Sequence, residues 1–387
     1  MPFIGNKPSA VPLTSADITD GIIVNADISS TAGITLNKIS GNPSFRNIVI
    51  NGDMQIAQRS TSVASITTSS YNTIDRFRTA IDTLGTWTNS QSTDVPSGYG
   101  FANSFKLDCT TADASPSAGD LLQIVQRFEG QNLQYLKKGT ANAISLTASF
   151  WVKSTKIGTF ICELVDNDNS RQISKSYTVS VTNTWEFKTV TFAGDTTGAL
   201  DNDNANSLQL NFWLGAGSTY TSGTLNTSWA TTTNANRAVG QVNIADNTAN
   251  DFLITGVQLE AGTSATDFEF LPIDVSLDRC QRYYSKLTGA TSGTAIGVGI
   301  STSTSSSSLY IKFPTTMRSA PTLSYNSLVI SDTANYGPTV TSIGSQVSGN
   351  DSSRLVVNHG ATASSNRVAV LQIDTALTGF LAMDIEL

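Results

Sequence analysis

Polar and apolar residues alternate with a period of two over much of this chain. In ISLTASFWVKS, Ile144, Leu146, Ala148, Phe150 and Val152 share one face; Ser145, Thr147, Ser149, Trp151 and Lys153 share the other. SLQLNFWLG repeats the device, with Leu208, Leu210, Phe212 and Leu214 opposite Gln209, Asn211 and Trp213. Such alternation marks strands with one buried face. Further strands are expected at TFICELV, SYTVSV, WEFKTVTF and FLITGVQLE. The loops between them, such as Asp166–Ser170 and Gly194–Ser207, are rich in Asn, Asp, Gly and Thr. Many strands, polar turns and no helical period predict an all-β fold, a β-sandwich or jelly roll, over residues 45–272.

The pattern changes at both ends of this region. Residues 1–44 hold a loose repeat of roughly ten to twelve residues, with Ile18, Ile22, Ile28, Ile34 and Ile39 at similar places in successive units. One copy cannot bury these isoleucines, so the segment reads as an intertwined fibre or anchor rather than a tail. In 273–288, Ile273, Leu277, Cys280, Tyr284 and Leu287 are spaced 4-3-4-3, predicting a short helical connector whose seam faces a coiled-coil partner or the sandwich. Residues 289–387 return to β, with strands expected at RVAVLQID and FLAMDIEL; Leu381, Met383, Ile385 and Leu387 share a face of the last. Within 47–59, NIVINGDMQIAQR carries Asn51-Gly52, a hairpin signal between short arms.

Composition narrows the chemistry. The 387 residues are only 14% charged, with net charge −7 and no basic run. Binding of nucleic acid needs clustered Lys and Arg, so that class is excluded. No basic-then-apolar leader opens MPFIGNKPSAVPL, and no apolar run reaches membrane-spanning length, so no membrane insertion is expected. Cys109, Cys162 and Cys280 have no metal spacing and form no disulfide framework, which fits folding in a reducing cytoplasm.

Several of these stretches together resemble one family. NIVINGDMQIAQR, YNTIDRFR at 71–78, SFWVKS at 149–154, NTWEFKTVTFAGDTTG at 183–198, LQLNFWLGAGS at 208–218, FLITGVQLEAGTSATDFEFLP at 252–272 and DRCQRYYSK at 278–286 occur in an order that resembles a β-sandwich module of tailed-phage virion proteins, especially tail fibres of marine phages. PLTSADITDGII at 12–23 is similar to the start of such fibres, and FPTTMRSAPTLS at 313–324 to their distal domain. The resemblance implies a jelly roll like those of carbohydrate-binding modules, with an attachment segment at 1–44 and a distal β-domain at 289–387. It also implies a homotrimer on the surface of a phage particle, assembled in the bacterial cytoplasm. Its partners would be other tail or capsid proteins through the N-terminus and host cell-surface glycan. It names no glycan and no shared sugar-binding signature.

His359, the sole histidine, has no nucleophile-elbow sequence near it and reads as a surface residue. Glu129, Glu163, Glu186, Glu260 and Asp75 could supply the carboxylate pair of a glycan hydrolase, yet turn caps and solvated strand faces explain each of them. Asp166-Asn167-Asp168-Asn169 and Asp201-Asn202-Asp203-Asn204 begin like calcium loops but lack the glycine at position six and the glutamate at twelve. No cofactor is therefore expected, a structural calcium being left open without motif support. Trp151, Lys153, Gln209, Asn211 and Trp213 lie opposite the apolar faces of their strands. An indole beside amides suits a pyranose, so one polar face carrying these residues is the expected glycan site; the alternative is packing against a loop or neighbouring subunit. Ile18, Ile28, Ile34, Ile39, Ile273, Leu277 and Tyr284 are the expected oligomer contacts. The sequence reads as a non-enzymatic tail-fibre subunit. The alternatives are a virion-bound hydrolase and a capsid decoration or head-fibre protein.

Overall fold

A computed structural model describes residues 45–289, 291–332, 336–360, 363–374 and 378–387. Ile18, Ile22, Ile28, Ile34 and Ile39 lie outside the described residues. The chain is all-β with a short helical connector. Its first eleven strands are β1 (Ser62–Ser70), β2 (Arg78–Ser92), β3 (Ser104–Thr111), β4 (Leu121–Glu129), β5 (Leu146–Ser154), β6 (Gly158–Asp166), β7 (Arg171–Val179), β8 (Glu186–Phe192), β9 (Asn206–Ala216), β10 (Ala230–Thr231) and β11 (Asp251–Ala261). A one-turn helix, α1 (Ser218–Thr221), follows β9.

Hydrogen bonding runs along β10-β7-β6-β9-β4-β2-β3-β11-β5-β8, with β1 paired to β2. This path folds over on itself at β2. Arg78–Thr83 pair with β4, whereas Thr86–Ser92 pair with β3. Between them Thr83 (φ 49°) and Gly85 (φ 75°) leave the extended conformation. A Cβ at Gly85 would also lie 2.7 Å from the Thr111 carbonyl oxygen, so the corner needs glycine. Strands that bend in this way carry a chain from one layer of a sandwich to the other. Phe150 on β5 and Phe212 on β9, five places apart in the path, meet edge-on at 4.9 Å. Phe160 on β6 meets Phe252 on β11 at 5.6 Å. One layer is therefore β10-β7-β6-β9-β4 with the start of β2; the other is the end of β2 with β3-β11-β5-β8. The alternating apolar residues of both fill the space between them, each buried Phe contributing roughly 1.5–3 kcal/mol.

The Asn51-Gly52 stretch is not a hairpin. Asn51 adopts φ 62° and its side chain clamps the loop, accepting from Ile56 N at 2.9 Å and donating to the Ile56 and Asp75 carbonyls. The segment lies against β11 where that strand breaks register: Ile48 N donates to Leu259 O, and Val257 N donates to Gly52 O. A Cβ on Gly52 would stand 2.0 Å from the Val257 oxygen, so only glycine fits.

The helix α2 (Ile273–Gln281) links the sandwich to a second β region. It is shorter than the 4-3-4-3 spacing predicts. Tyr284 and Leu287 belong to β12 (Tyr284–Thr288), not to a second heptad. Cys280 and Tyr283 instead bury against Ile50 and Ile56, with Leu277 packed beside them, while Ile273 is 55% exposed. Tyr284 is buried under the Arg59 guanidinium, 3.6 Å from its ring, which removes it as an oligomer contact. Eight strands follow: β13 (Ala295–Ser301), β14 (Ser306–Lys312), β15 (Thr322–Asn326), β16 (Leu328–Ser331), β17 (Tyr336–Ser348), β18 (Ser352–His359), β19 (Val368–Ile373) and β20 (Phe380–Asp384). Six close a barrel in the order β13-β14-β18-β17-β16-β19, and β12-β20-β15 form a small sheet sharing its core. Arg59 ties this region back to the sandwich through Asp384 and Glu386, and Arg76 through Glu386.

Candidate functional site

The residues expected to form one polar face lie on opposite sides of the molecule. β5 and β9 sit in different layers, and each turns its apolar side inward. Their other sides, bearing Trp151 and Trp213, must then point in opposite directions. Trp213 is fully buried: residues 217–243 fold over it, packing Tyr220 against the indole at 5.2 Å. Its Nε1–H donates to Glu163 at 3.0 Å, as does Asn211 Nδ2. Arg237 closes over the same carboxylate with two bonds of 2.8 and 2.9 Å. Trp213 and Asn211 therefore hold a buried ion pair in place, and neither is open to a ligand.

Trp151 stands differently. On the outer face of the second layer it forms a groove of about 600 Å³ with two loops, residues 93–103 and 262–272. Tyr99 packs on the indole at 4.2 Å and Phe187 at 5.3 Å from the other side. Phe187 is the direct cross-strand partner of Trp151, which fixes that half of the platform in the sheet. Phe268 and Phe270 meet edge-on at 4.8 Å and close the far wall around the buried Phe101. Gly256 adopts φ 61°, and a Cβ there would meet the Phe101 ring at 2.6 Å. Tyr99, Phe187 and Phe270 are 56%, 48% and 46% exposed, an unusual density of open aromatic surface.

Polar groups edge this platform. Lys153 donates to Asp94 at 2.6 Å, and Trp185 Nε1–H donates to the other oxygen at 2.9 Å. Burial would raise the Asp94 carboxyl, but these two donors outweigh it and hold the group below the usual carboxylate range. Asp94 is thus a fixed anion beside the aromatic strip, and Lys153 is engaged by it. Gln209 lies on the opposite layer, bonded to Asn167 at 3.1 Å. The groove was missed because its rings come from loops. Two aromatic doublets in polar surroundings, GYGF at 98–101 and DFEF at 267–270, were the available signal.

The other candidates resolve into structure. Glu129 is held by Arg282 at 2.7 and 2.8 Å, and Glu260 by Thr266 and Gln258. Glu186 receives Lys188 and two backbone amides. Asp75 accepts from Gln58; its burial pushes the carboxyl up to about 6. His359 is not on the surface. It faces the barrel interior with Leu355 and Val357, its Nε2 3.0 Å from Ser307 Oγ and its Nδ1 3.0 Å from Gly360 O. Burial of this pair leaves no path for a substrate. All three cysteines are buried free thiols.

The two calcium-like loops lie side by side, with Asp201 N donating to Asp168 at 2.9 Å. Asp166, the buried carboxylate of the first loop, is already occupied. The Lys138 ammonium donates to Asp166, to Asp195 at 3.0 Å, and to the carbonyls of Thr197 and Gly198 at 3.1 and 2.8 Å. Arg171 bonds both oxygens of Asp195. The donor set thus fits a lysine ammonium that is part of the chain.

No protein-family model and no curated protein sequence matches the chain. Among solved structures it is similar to the enzymatically active domain of Bacteriophage CBA120 tailspike protein 4, at 16% identity and TM-score 0.30, over 56% of this chain and 21% of that one. The chain thus spans about a fifth of that tailspike chain. It is also similar to a CBM4 structure, at 14% identity and TM-score 0.27, over 55% of this chain and 97% of that one. A putative sugar binding protein from Bacteroides thetaiotaomicron VPI-5482 is similar at 11% identity and TM-score 0.31, over 56% of this chain and 99% of that one.

Proposed function

We propose that the chain is a glycan-adhesion subunit of a tailed-phage particle, a tail fibre that acts as a homotrimer and binds host-surface sugar. The aromatic groove around Trp151 carries the adhesion part of this reading. An open strip of rings offers the apolar faces on which pyranose C–H groups stack, and it is costly to leave in water without a ligand. The order of motifs along the sequence supports the virion part. Binding is favoured over hydrolysis because Glu129, Glu163 and Glu186 are each engaged in ion pairs and Glu260 is spent capping Thr266 in the groove's own loop. A single shallow site would bind weakly, and three per fibre would supply avidity. No cofactor enters this reading: neither Asp/Asn loop completes a calcium motif.

Trp151→Ala tests the proposal on a panel of immobilised bacterial surface polysaccharides. The wild-type chain should retain at least one polysaccharide, and the variant should lose it while keeping its melting temperature within a few degrees. Retention unchanged by the substitution would move recognition out of the groove. Sedimentation of the intact chain checks the trimer, and a monomer at micromolar concentration would remove the fibre reading.

A further inference from the structure

The outer face of the first layer holds a second cleft, about 520 Å³, built from β2, β4, β6 and β9. We infer that this cleft binds an anionic saccharide, with the Arg78 guanidinium taking its carboxylate or sulfate. Cross-strand register sets the floor. Arg78 lies opposite Val125, Ala80 opposite Gln123, and Gln209 beside Val165. Arg78 is the exception among the arginines of the sandwich. Arg59, Arg76, Arg171, Arg237 and Arg282 each have a carboxylate partner and Arg127 donates to the Leu387 carbonyl, whereas the Arg78 guanidinium makes no hydrogen bond or ion pair among the described residues. Partial burial and the neighbouring Arg127 both disfavour its charge. A half-buried cation beside a second cation costs stability, and among the described residues only the Tyr71 hydroxyl, not a carboxylate, offsets part of that cost. Residues of this kind are retained where function needs them.

A second observation points the same way. Gln123 is 94% buried, yet its Nε2 has no acceptor. It lines the same cleft as Arg78, so a buried unpaired donor belongs to the floor from which the unpaired cation rises. Gln209 gives its Nε2–H to Asn167 Oδ1, and its own oxygen and the Asn167 amide nitrogen make no bond among the described residues. These amide groups suit sugar hydroxyls on either side of the anion. Asp82, four residues along β2 and ~13 Å away, marks the other end and disfavours a ligand anionic along its whole length.

The experiment is calorimetric titration of the full chain with four probes of equal length: a galactose oligomer ending in one galacturonate, the wholly neutral galactose oligomer, the neutral oligomer carrying one terminal sulfate, and a peptide carrying one terminal glutamate. The galacturonate-ended or the sulfated probe should bind at least about tenfold more tightly than the neutral one, as a charge-assisted bond requires, and added salt should weaken it. Whichever of the two binds identifies the anion. Arg78→Gln should abolish the preference without lowering the melting temperature, because Arg78 holds nothing in the fold. Gln123→Leu should weaken the same probe by a smaller factor. Trp151→Ala should leave it untouched, which separates this cleft from the aromatic groove. Equal binding of all sugars, a preference that survives Arg78→Gln, or the glutamate-ended peptide binding as tightly as the acidic sugar would overturn the inference.

Discussion

Lys138→Met tests the claim that a lysine serves as the cation of the central sandwich. The Lys138 side chain is 7% exposed, and its ammonium sits among two carboxylates and two carbonyl oxygens, with the Trp229 ring 5.2 Å away. Asp166 and Asp195 have side chains only 0% and 3% exposed. Methionine matches the length of the lysine stem but cannot neutralise them. Removing one partner of a buried ion network leaves an uncompensated charge and costs about 3–5 kcal/mol. For a domain of this size that lowers the melting temperature by about 6–20 °C. The loss should depend on pH. Burial alone would raise the Asp195 carboxyl, but hydrogen bonds from Arg171 and Lys138 hold it below its ordinary value in the folded protein. Such a group adds stability above its unfolded pKa and loses it as pH falls through the folded one. The gap between wild type and variant should therefore narrow as pH falls below about 4. Thermal unfolding followed by circular dichroism from pH 3 to pH 8 measures both effects. A double variant that adds Asp166→Asn alone should recover part of the loss, because Asp195 keeps Arg171 and the unpaired carboxylate is gone. A shift below about 2 °C at pH 7, under 1 kcal/mol for a domain this size, would refute the reasoning.

Two further outcomes follow from the buried groups. Asp75 has a folded pKa raised to about 6, mainly by burial, with Gln58 and Arg59 pulling it back. The folded state therefore holds this proton more tightly than the unfolded chain, so the group costs stability above pH 6 and the cost fades as pH falls toward 4; carboxyl titration by NMR should show an Asp near pH 6. Trp213→Ala should cost about 3–5 kcal/mol and yield little soluble protein, whereas Trp151→Ala should not. A folded, stable Trp213→Ala chain would contradict the buried Glu163 network.

How much was readable depends on whether the signal was local. β5, β6, β8, β9 and β11 announce themselves by alternation, because each buries one apolar face. β1 to β4 were harder: β1 is mostly Ser and Thr, and β2 carries Thr, Asn, Ser and Gln along its second half. Which layer a strand joins is decided by partners far away in sequence. The alternation in β5 and β9 was correct, yet it could not show that Trp151 and Trp213 face opposite ways. His359 was legible in principle, since it continues the inward series Ser353, Leu355, Val357 of β18. A 4-3-4-3 spacing cannot distinguish two heptads from one short helix followed by a strand, and here Tyr283 rather than Tyr284 completes the helix contact.

The two outer faces of the sandwich show why one fold can carry two separate chemistries. Alternation commits every second residue to the shared core and leaves the others free to differ between layers. On one face a carboxylate, Glu163, is buried under Arg237, and the segment that brings Arg237 also closes over Trp213. The ring is thereby spent on structure, and the remaining opening is polar. On the other face the loops bring rings as well as charges, so Trp151 stays open, with Tyr99 from a loop and Phe187 from β8 as neighbours. Between the faces lies a packed core about one sheet spacing thick, ~10 Å, which leaves no side chain in contact with both. Sites on the two faces are therefore separable by single substitutions. Loss at one with retention at the other is what two independent sites require.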